Sequence, residues 1–395
     1  MKHFDYIFTG GGCAGLSTAL QMSRLGLGQK RLLIIDQDEK KSNDRTWCYW
    51  SKGDHPYPEL VHRSWTQLQF TDYSGTRSSA MRAYQYHLVR GEDFYRMAVS
   101  ELAKDPNVSF LKQRVDNIST EKLRAKVWAG NQIFTADYVL NSIVSKPNKA
   151  QADGDYFLYQ HFMGWWIESE SADFIVDTAT LMDFRTPQLG DARFFYVLPV
   201  TPNRALVEFT IFSRQLLEDK AYRKALEDYL QTHLGIEDFS ILEEEFGVIP
   251  MTNTPLSVNY GPRVIQIGTA GGAVKPTTGY AFLKIHRQAQ SIANQLIKGD
   301  KSLMPKQIQR FQFYDNLLLH ILEKEGKVAS NIFSALFRNN NMARVLTFLE
   351  ERSHLGQELA IFSSLPFAPF LRACYQRWLM QWNKKSKAKQ KIALE

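Results

Sequence analysis

Cysteine is scarce in this chain. Cys13, Cys48 and Cys374 are odd in number and far apart. They predict neither a disulfide framework nor a metal site, and a reducing cytoplasm fits that usage. Long apolar runs are lacking as well. No stretch reaches the roughly 18 residues that a membrane-spanning helix needs. The first apolar segment, Phe4 to Thr9, runs straight into glycines and does not read as a leader. The chain carries a net charge of +7 but no recognisable nucleic-acid motif, so nucleic acid is not an expected partner. Internal repeats are missing, and the only low-complexity stretch is a basic tail.

What is present begins with size. At 395 residues the chain predicts two or three packed units. Aromatic residues make up 13% of it, and many fall outside evident strand patterns. That content suits either an apolar ligand tunnel or an aromatic core. The charge excess is local: Arg377, Lys384, Lys385, Lys387, Lys389 and Lys391 follow one another with no acid before Glu395. An apolar stretch from Ile361 to Leu371 precedes them, and Trp378 and Trp382 lie four apart on one helix face. The run is either a solvated tail or, with those neighbours, a peripheral contact with an anionic membrane surface on the cytoplasmic face.

The spacing predicts a strand at Phe4 to Thr9, a helix at Ala14 to Leu27 and a strand at Arg31 to Asp36, which together make a βαβ unit. A helix is expected from Gly91 to Ala103, a strand from Val108, and a hairpin around Gly130 and Asn131. Residues 137–141 return to the first sheet. From about 155 to 250, aromatic-rich strands predict an antiparallel sheet, interrupted by a helix near Arg214 to His233. Val264 to Gly268 rejoins the first sheet, followed by a long helix to Lys298. The expected fold is α/β: a Rossmann-like, hydroxylase-like FAD-binding domain, an antiparallel β substrate domain and a helical C-terminal region. The corresponding boundaries are 1–50, 81–150 and 260–300 for the discontinuous FAD-binding domain. The β-rich domain takes 51–80 and 151–259, and the helical region takes 301–395.

Gly10, Gly12 and Gly15 close the first strand and open the first helix. Gly10 permits the tight turn, Gly12 lets the backbone approach a pyrophosphate, and Gly15 lets helix and strand pack closely. Asp36, at the end of the next strand, is placed to accept bonds from ribose hydroxyls. A second cluster, Gly268, Gly271 and Gly272, follows a late strand, with Pro276-Thr-Thr-Gly279-Tyr280 just beyond. Two such clusters in one sheet favour FAD over NAD as the resident cofactor, the late loop reaching the flavin side.

Further segments occur in a fixed order: Asn43-Asp-Arg45-Thr46-Trp47-Cys-Tyr-Trp50, Met182-Asp183, Phe195-Tyr-Val-Leu-Pro199, Val207-Glu208-Phe-Thr210 and Pro276-Thr-Thr-Gly279-Tyr280. In these the chain resembles the lycopene cyclase family, in its bacterial β-cyclase branch, over about residues 5–290. The resemblance implies a membrane-associated enzyme that closes the ψ-ends of lycopene into β-ionone rings, through monocyclic γ-carotene to β-carotene. It implies a redox-neutral reaction that nevertheless uses reduced FAD, with NAD(P)H as electron donor. The family's essential acid maps onto Glu208. Phe209 stands where the family has a second acid, which leaves Glu208 as the main candidate. Thr269 stands in the flavin loop where many related flavoproteins carry Asp.

An alkene is a poor base, so its protonation needs an acid held away from water. Glu208 on an aromatic strand is that acid if it points inward, and an ordinary surface residue if it points outward. Arg45 binds the cofactor or caps a loop. Trp47 and Tyr280 are candidates for substrate contact. Trp165 and Trp166 wall a polyene tunnel or pack in the core. Asp183, with Arg185, shapes the site or forms a surface ion pair. His161 and His286 are expected to be ordinary histidines. The same fold also serves flavin monooxygenases, prenyl reductases and non-catalytic prenyl-lipid carriers, which remain the rival readings.

Overall fold

The computed structural model describes residues 1–26, 29–53, 55–121, 123–144, 154–256, 258–298 and 308–392, the side chains of 381 and 383–392 excepted. The tail lysines at 384, 385, 387, 389 and 391 therefore have their side chains outside the described residues.

The chain opens with β1 (Lys2–Thr9), α1 (Cys13–Arg24) and β2 (Leu32–Asp36). Then come β3 (Thr46–Ser51), β4 (Val61–Trp65), β5 (Gln67–Asp72), β6 (Gly75–Ala80) and β7 (Gln85–Arg90). Helix α2 (Gly91–Leu102) leads to β8 (Val108–Lys112), β9 (Val115–Glu121), β10 (Arg124–Ala129) and β11 (Gln132–Asn141). The first sheet has the order β8-β2-β1-β11-β10-β9. Its core strands β8, β2, β1 and β11 are parallel, while β9, β10 and β11 form the antiparallel meander whose hairpin turns at Gly130. The late strand β17 (Val264–Gln266) adds in parallel to β11, so two distant stretches of chain share one sheet.

Between them lie β12 (Phe157–Glu168), β13 (Thr178–Asp183), β14 (Ala192–Thr201), β15 (Arg204–Ser213), α3 (Asp219–Leu234) and β16 (Ser240–Thr252). The second sheet runs β16-β12-β15-β14-β13-β5-β6. Both of its faces are covered, which is why its strands read as nearly continuous apolar runs rather than clean alternations. One face buries Met163, Trp165, Phe195, Val207 and Phe209 against Tyr222, Leu226 and Tyr229 of α3. The other turns Trp166, Leu198 and Leu206 toward the middle of the molecule.

Two expectations shift. Of residues 51–80, only β5 and β6 extend the second sheet. Strand β4 pairs instead with β7, which also pairs with β3 in a small three-stranded sheet. Helix α3 begins at Asp219 rather than near Arg214, because Ser213 turns back to donate to the Gln215 carbonyl, at 2.5 Å, and holds the intervening residues out of the helix.

Beyond β17 come α4 (Phe282–Lys298), α5 (Gln309–Glu325), α6 (Ala329–Asn339), α7 (Met342–Leu349), α8 (Leu355–Phe362) and α9 (Phe367–Ile392). Buried Lys275 fixes this helical region to the loop before α4. Its ammonium donates to Asp315 of α5 at 2.9 and 3.1 Å and to Glu351 at 3.0 Å, while the Thr277 hydroxyl donates to Asp315 at 2.8 Å. Two carboxylates around one buried cation offset its desolvation, which a single isolated charge could not.

Candidate active site

The β1–α1 turn forms one wall of the site. Gly10 has φ +107°, a conformation that side-chain-bearing residues rarely adopt. A Cβ on Gly15 would lie 2.1 Å from the Gly10 carbonyl oxygen, so only glycine lets α1 sit this close to β1. Gly12 faces open space, and the start of α1 has neither a side-chain cap nor an acid in its first turn. Free N–H groups and the positive end of the helix dipole therefore look into the cavity, a setting that suits a pyrophosphate. The Asp36 carboxylate is held at both oxygens, accepting from the Gly11 N–H at 2.6 Å and the Asp38 N–H at 2.8 Å. Its remaining lone pairs are free to accept from a ribose.

The second glycine loop closes on the first. A Cβ on Gly268 would stand 2.6 Å from the Cβ of Ala14, and the Gly268 N–H donates to the Gln288 side-chain Oε1 at 2.9 Å. Gly272 and Gly279 also have positive φ, and a Cβ on Gly271 would crowd the Gln266 carbonyl at 2.4 Å. Between the two loops lies a cavity of about 550 Å³ lined by Gly12, Ala14, Arg45, Trp47, Gly268, Thr269 and Gly279. Two of its lining polar atoms, Gln160 Oε1 and Thr278 Oγ1, are buried without a hydrogen-bond partner. Buried polar groups normally have partners, so these two fit the polar edge of a flavin ring. Arg45 stands at the mouth with an exposed side chain, its Nε 3.3 Å from Asp44 Oδ2.

The same cavity runs on to Glu208 of β15. Its strand neighbours are Tyr196 of β14 and Gly164 of β12. The carboxyl is half-buried, and what exposure it has is to the cavity, where Cys48, Tyr86, Tyr196, Leu198, Leu206 and Tyr280 surround it. Among the described residues its one hydrogen bond comes from the Thr210 hydroxyl at 2.6 Å. Burial pushes its pKa up to about 8; the Thr210 bond opposes this, and the neighbouring Glu245 adds to it. Tyr280 shares a hydrogen bond with Tyr86 at 3.1 Å and meets Trp50 edge-on at 4.6 Å. Trp47 packs between Phe94 at 5.5 Å and Phe282 at 5.3 Å and lines the dinucleotide end.

Three expected residues are not brought to this cavity. Trp165 points to the α3 face, donating to Glu244 at 3.1 Å. Asp183 is buried on that same side, where it accepts from Arg185 and from the Tyr229 hydroxyl at 2.8 Å. Both are turned away because neighbouring strand residues alternate faces. Trp166 shares the Glu208 face but lies behind the wall, donating to Glu245 Oε1 at 2.8 Å. His161 is structural, bonded to Tyr222 and Ser213. The sequence reading missed Tyr86, Tyr196, Gln160 and Glu245, whose positions follow from strand register rather than from local pattern.

A family model described as "Lycopene cyclase protein" matches residues 5–375. The chain is 27% identical to a chloroplastic lycopene beta cyclase of Arabidopsis thaliana, over 74% of this chain and 60% of that protein. It is 26% identical to a lycopene beta-cyclase of Pantoea ananas, over 71% of each. It is also 24% identical to a chloroplastic neoxanthin synthase of Solanum tuberosum, over 75% of this chain and 61% of that protein. The chain thus spans about three-fifths of the plant relatives' length. Among solved structures, a geranylgeranyl bacteriochlorophyll reductase-like protein of Thermoplasma acidophilum aligns with a TM-score of 0.57 at 14% identity, over 96% of this chain and 97% of that one. A flavoprotein/dehydrogenase of Cytophaga hutchinsonii aligns at 0.58 and 11%, over 97% and 100%. These two likenesses show the fold and nothing finer. With the family model matched over nearly its whole length, the chain belongs to the lycopene cyclase family.

Proposed function

We propose that this protein is a lycopene β-cyclase, converting the linear ψ-ends of lycopene to β-ionone rings by acid-initiated, redox-neutral cyclisation. The observation that carries this reading is Glu208, a carboxyl buried beside aromatic rings at the far end of a cavity that begins at a dinucleotide cradle. A carboxyl raised to about 8 keeps its proton near neutrality and can deliver it to carbon. Protonation at C2 leaves a tertiary cation at C1, the C5–C6 double bond attacks it, and loss of the C6 proton gives the ring. Lycopene and β-carotene are isomers, so no net electrons are needed.

The chain's own residues supply three things. Glu208 holds the proton and Thr210 orients it. Tyr86, Tyr196 and Tyr280 turn aromatic surface to the cation and keep water from capturing it. Gly12, Asp36, Gly268 and their neighbours would hold FAD with its ring toward Gln160 and Thr278. When bound in reduced form, kept so by NAD(P)H, the flavin would supply negative charge near the developing cation.

We place the enzyme on a membrane surface, where its substrate dissolves. Among the described residues no helix is long and apolar enough to cross a membrane. Helix α9 instead presents Phe367, Leu371, Tyr375, Trp378 and Trp382, each about 60% exposed. Their spacing puts them on one helix face as an exposed apolar stripe, and lysines follow it in the sequence.

Glu208→Gln keeps the shape but cannot donate a comparable proton. The variant should bind flavin normally and lose about 10⁴-fold in ring formation, the upper end for general acid catalysis. Because the protonated form is the active one, wild-type cyclisation should fall as pH rises through about 8. Carotene chromatography checks both, and substantial ring formation by the variant would move the acid elsewhere. Asp36→Ala should purify folded by circular dichroism but with little flavin, and wild-type occupancy would contradict the ribose assignment. Removing residues 383–395 should weaken sedimentation with anionic liposomes, at about 1 kcal/mol per lysine. Equal sedimentation of both proteins at low salt would leave the tail a solvated end.

A further inference from the structure

Glu245 of β16 is a buried carboxyl that the mechanism above does not use. Its position is set by register. Gly164 of β12 pairs with Glu208 on one side and with Glu245 on the other. Residues paired across antiparallel strands share a face, so Glu208, Gly164 and Glu245 form one row directed at the site. The middle member has no side chain, and a Cβ built on it would already stand 3.5 Å from the Glu208 Cβ. Phe209, which follows Glu208, points the other way and stacks on Phe195 at 4.7 Å. The next residue on β15 therefore gives this face no second carboxyl. Glu245 gives it one from two strands away, behind the cavity wall beside Trp166.

The two carboxyls are unequally served. Glu245 Oε1 accepts from Trp166 Nε1 at 2.8 Å and from the Thr46 hydroxyl, and the Thr46 backbone N–H adds to these. Among the described residues Glu208 has the Thr210 hydroxyl alone. Burial pushes both carboxyls up and Glu243 adds to the rise at Glu245, while the donors from Thr46 and Trp166 oppose it there. Donors favour the ionised form, and two neighbouring buried carboxyls resist ionising together. The better-served member takes the charge and leaves the proton on the other. We infer that Glu245 is the charge-bearing positioning residue of the site: its anion, held by Thr46 and Trp166, keeps Glu208 protonated.

The surroundings agree with this division. Glu243, on the same face of β16, is paired with Arg90 of β7 at 2.7 Å, and what it still exerts falls on Glu245. Glu244 faces away and pairs with Arg223 of α3. His62 of β4 meets the edge of Trp166, and burial beside Arg90 holds its pKa down, so it stays neutral. Cys48 of β3 and the phenols of Tyr86, Tyr196 and Tyr280 are all raised by burial and remain neutral around Glu208. Arg45 and Lys40 stand at the far, dinucleotide end of the cavity. Glu245 is thus the anion that acts on Glu208.

This inference rests on Glu208 being the proton donor, and its test needs a readout that does not depend on turnover. Infrared difference spectroscopy of the full-length flavoprotein across pH reports protonated carboxyls directly. The wild type should show one that titrates near about 8 and that Glu208→Gln removes. In Glu245→Gln the band should persist and its midpoint should fall by about one unit, the size expected for removing one charge roughly two strand spacings away. The alkaline limb of cyclisation should fall with it. Trp166→Phe, which takes one donor from Glu245, should shift the midpoint in the same direction by less, and it decides the matter if Glu245→Gln does not fold. A band removed by Glu245→Gln rather than by Glu208→Gln would reverse the roles. An unchanged midpoint in both the Glu245 and Trp166 variants would likewise overturn the inference. If the titrations behave as stated but the wild type closes no rings from lycopene, the carboxyl pairing stands and the cyclase reading fails.

Discussion

Glu208 opens only to the cavity and has, among the described residues, one hydroxyl donor and no cationic partner, and the proposed mechanism depends on that condition. A carboxyl in water would be ionised at neutral pH and useless as an acid toward a hydrocarbon. A carboxyl paired with arginine would be more ionised still. In the proposed mechanism, burial without a cation is what keeps the proton available. It also fixes what can line the cavity around it: apolar side chains, phenols and a thiol, with the Glu245 carboxyl kept behind them.

That condition explains the second sheet. A strand with one wet face could not bury the Glu208 side, so the sheet is covered on both faces, by α3 on one and by the small three-stranded sheet, the flavin loop and the C-terminal helices on the other. Gly279 and Tyr280 reach this wall from the first sheet's late loop, Gly279 lying so close to Gln160 that a Cβ would meet its Oε1 at 2.2 Å. The dinucleotide cradle and the buried acid are therefore two ends of one cavity, joined by glycines that allow backbone to approach side chain. Lys275 fixes the same loop to α5 and to Glu351. The cavity wall and the helical region that carries the exposed aromatic stripe of α9 are thereby mechanically connected.

Much of the fold was legible because its signals are local. The glycine spacing, the strand before it and the acid after the next strand specify β1–α1–β2, and a hairpin at Gly130 announces itself by composition. Trp165 and Asp183 show where local reading stops. In a sheet buried on both faces, alternation says that neighbours diverge but not which face meets the cavity, so Trp165 and Trp166 were indistinguishable in sequence. For Glu208 alternation left both faces open, and only the packed sheet places it inward. Glu245 was harder. Nothing in its three-acid run, Glu243 to Glu245, marks one member as inward, and its relation to Glu208 exists only through the register of three strands across Gly164. Non-local pairing of this kind leaves no mark on a single sequence.

The central claim is that the protein's buried acid gives a proton to carbon. The most direct measurement is the position of label after cyclisation of lycopene by purified enzyme in heavy water, with reduced flavin present. Protonation by Glu208, which exchanges with solvent between turnovers, predicts one deuterium at C2 of each ring formed, with no nicotinamide consumed in proportion to product. Rings formed without deuterium at C2, or nicotinamide oxidised in step with product, would contradict it.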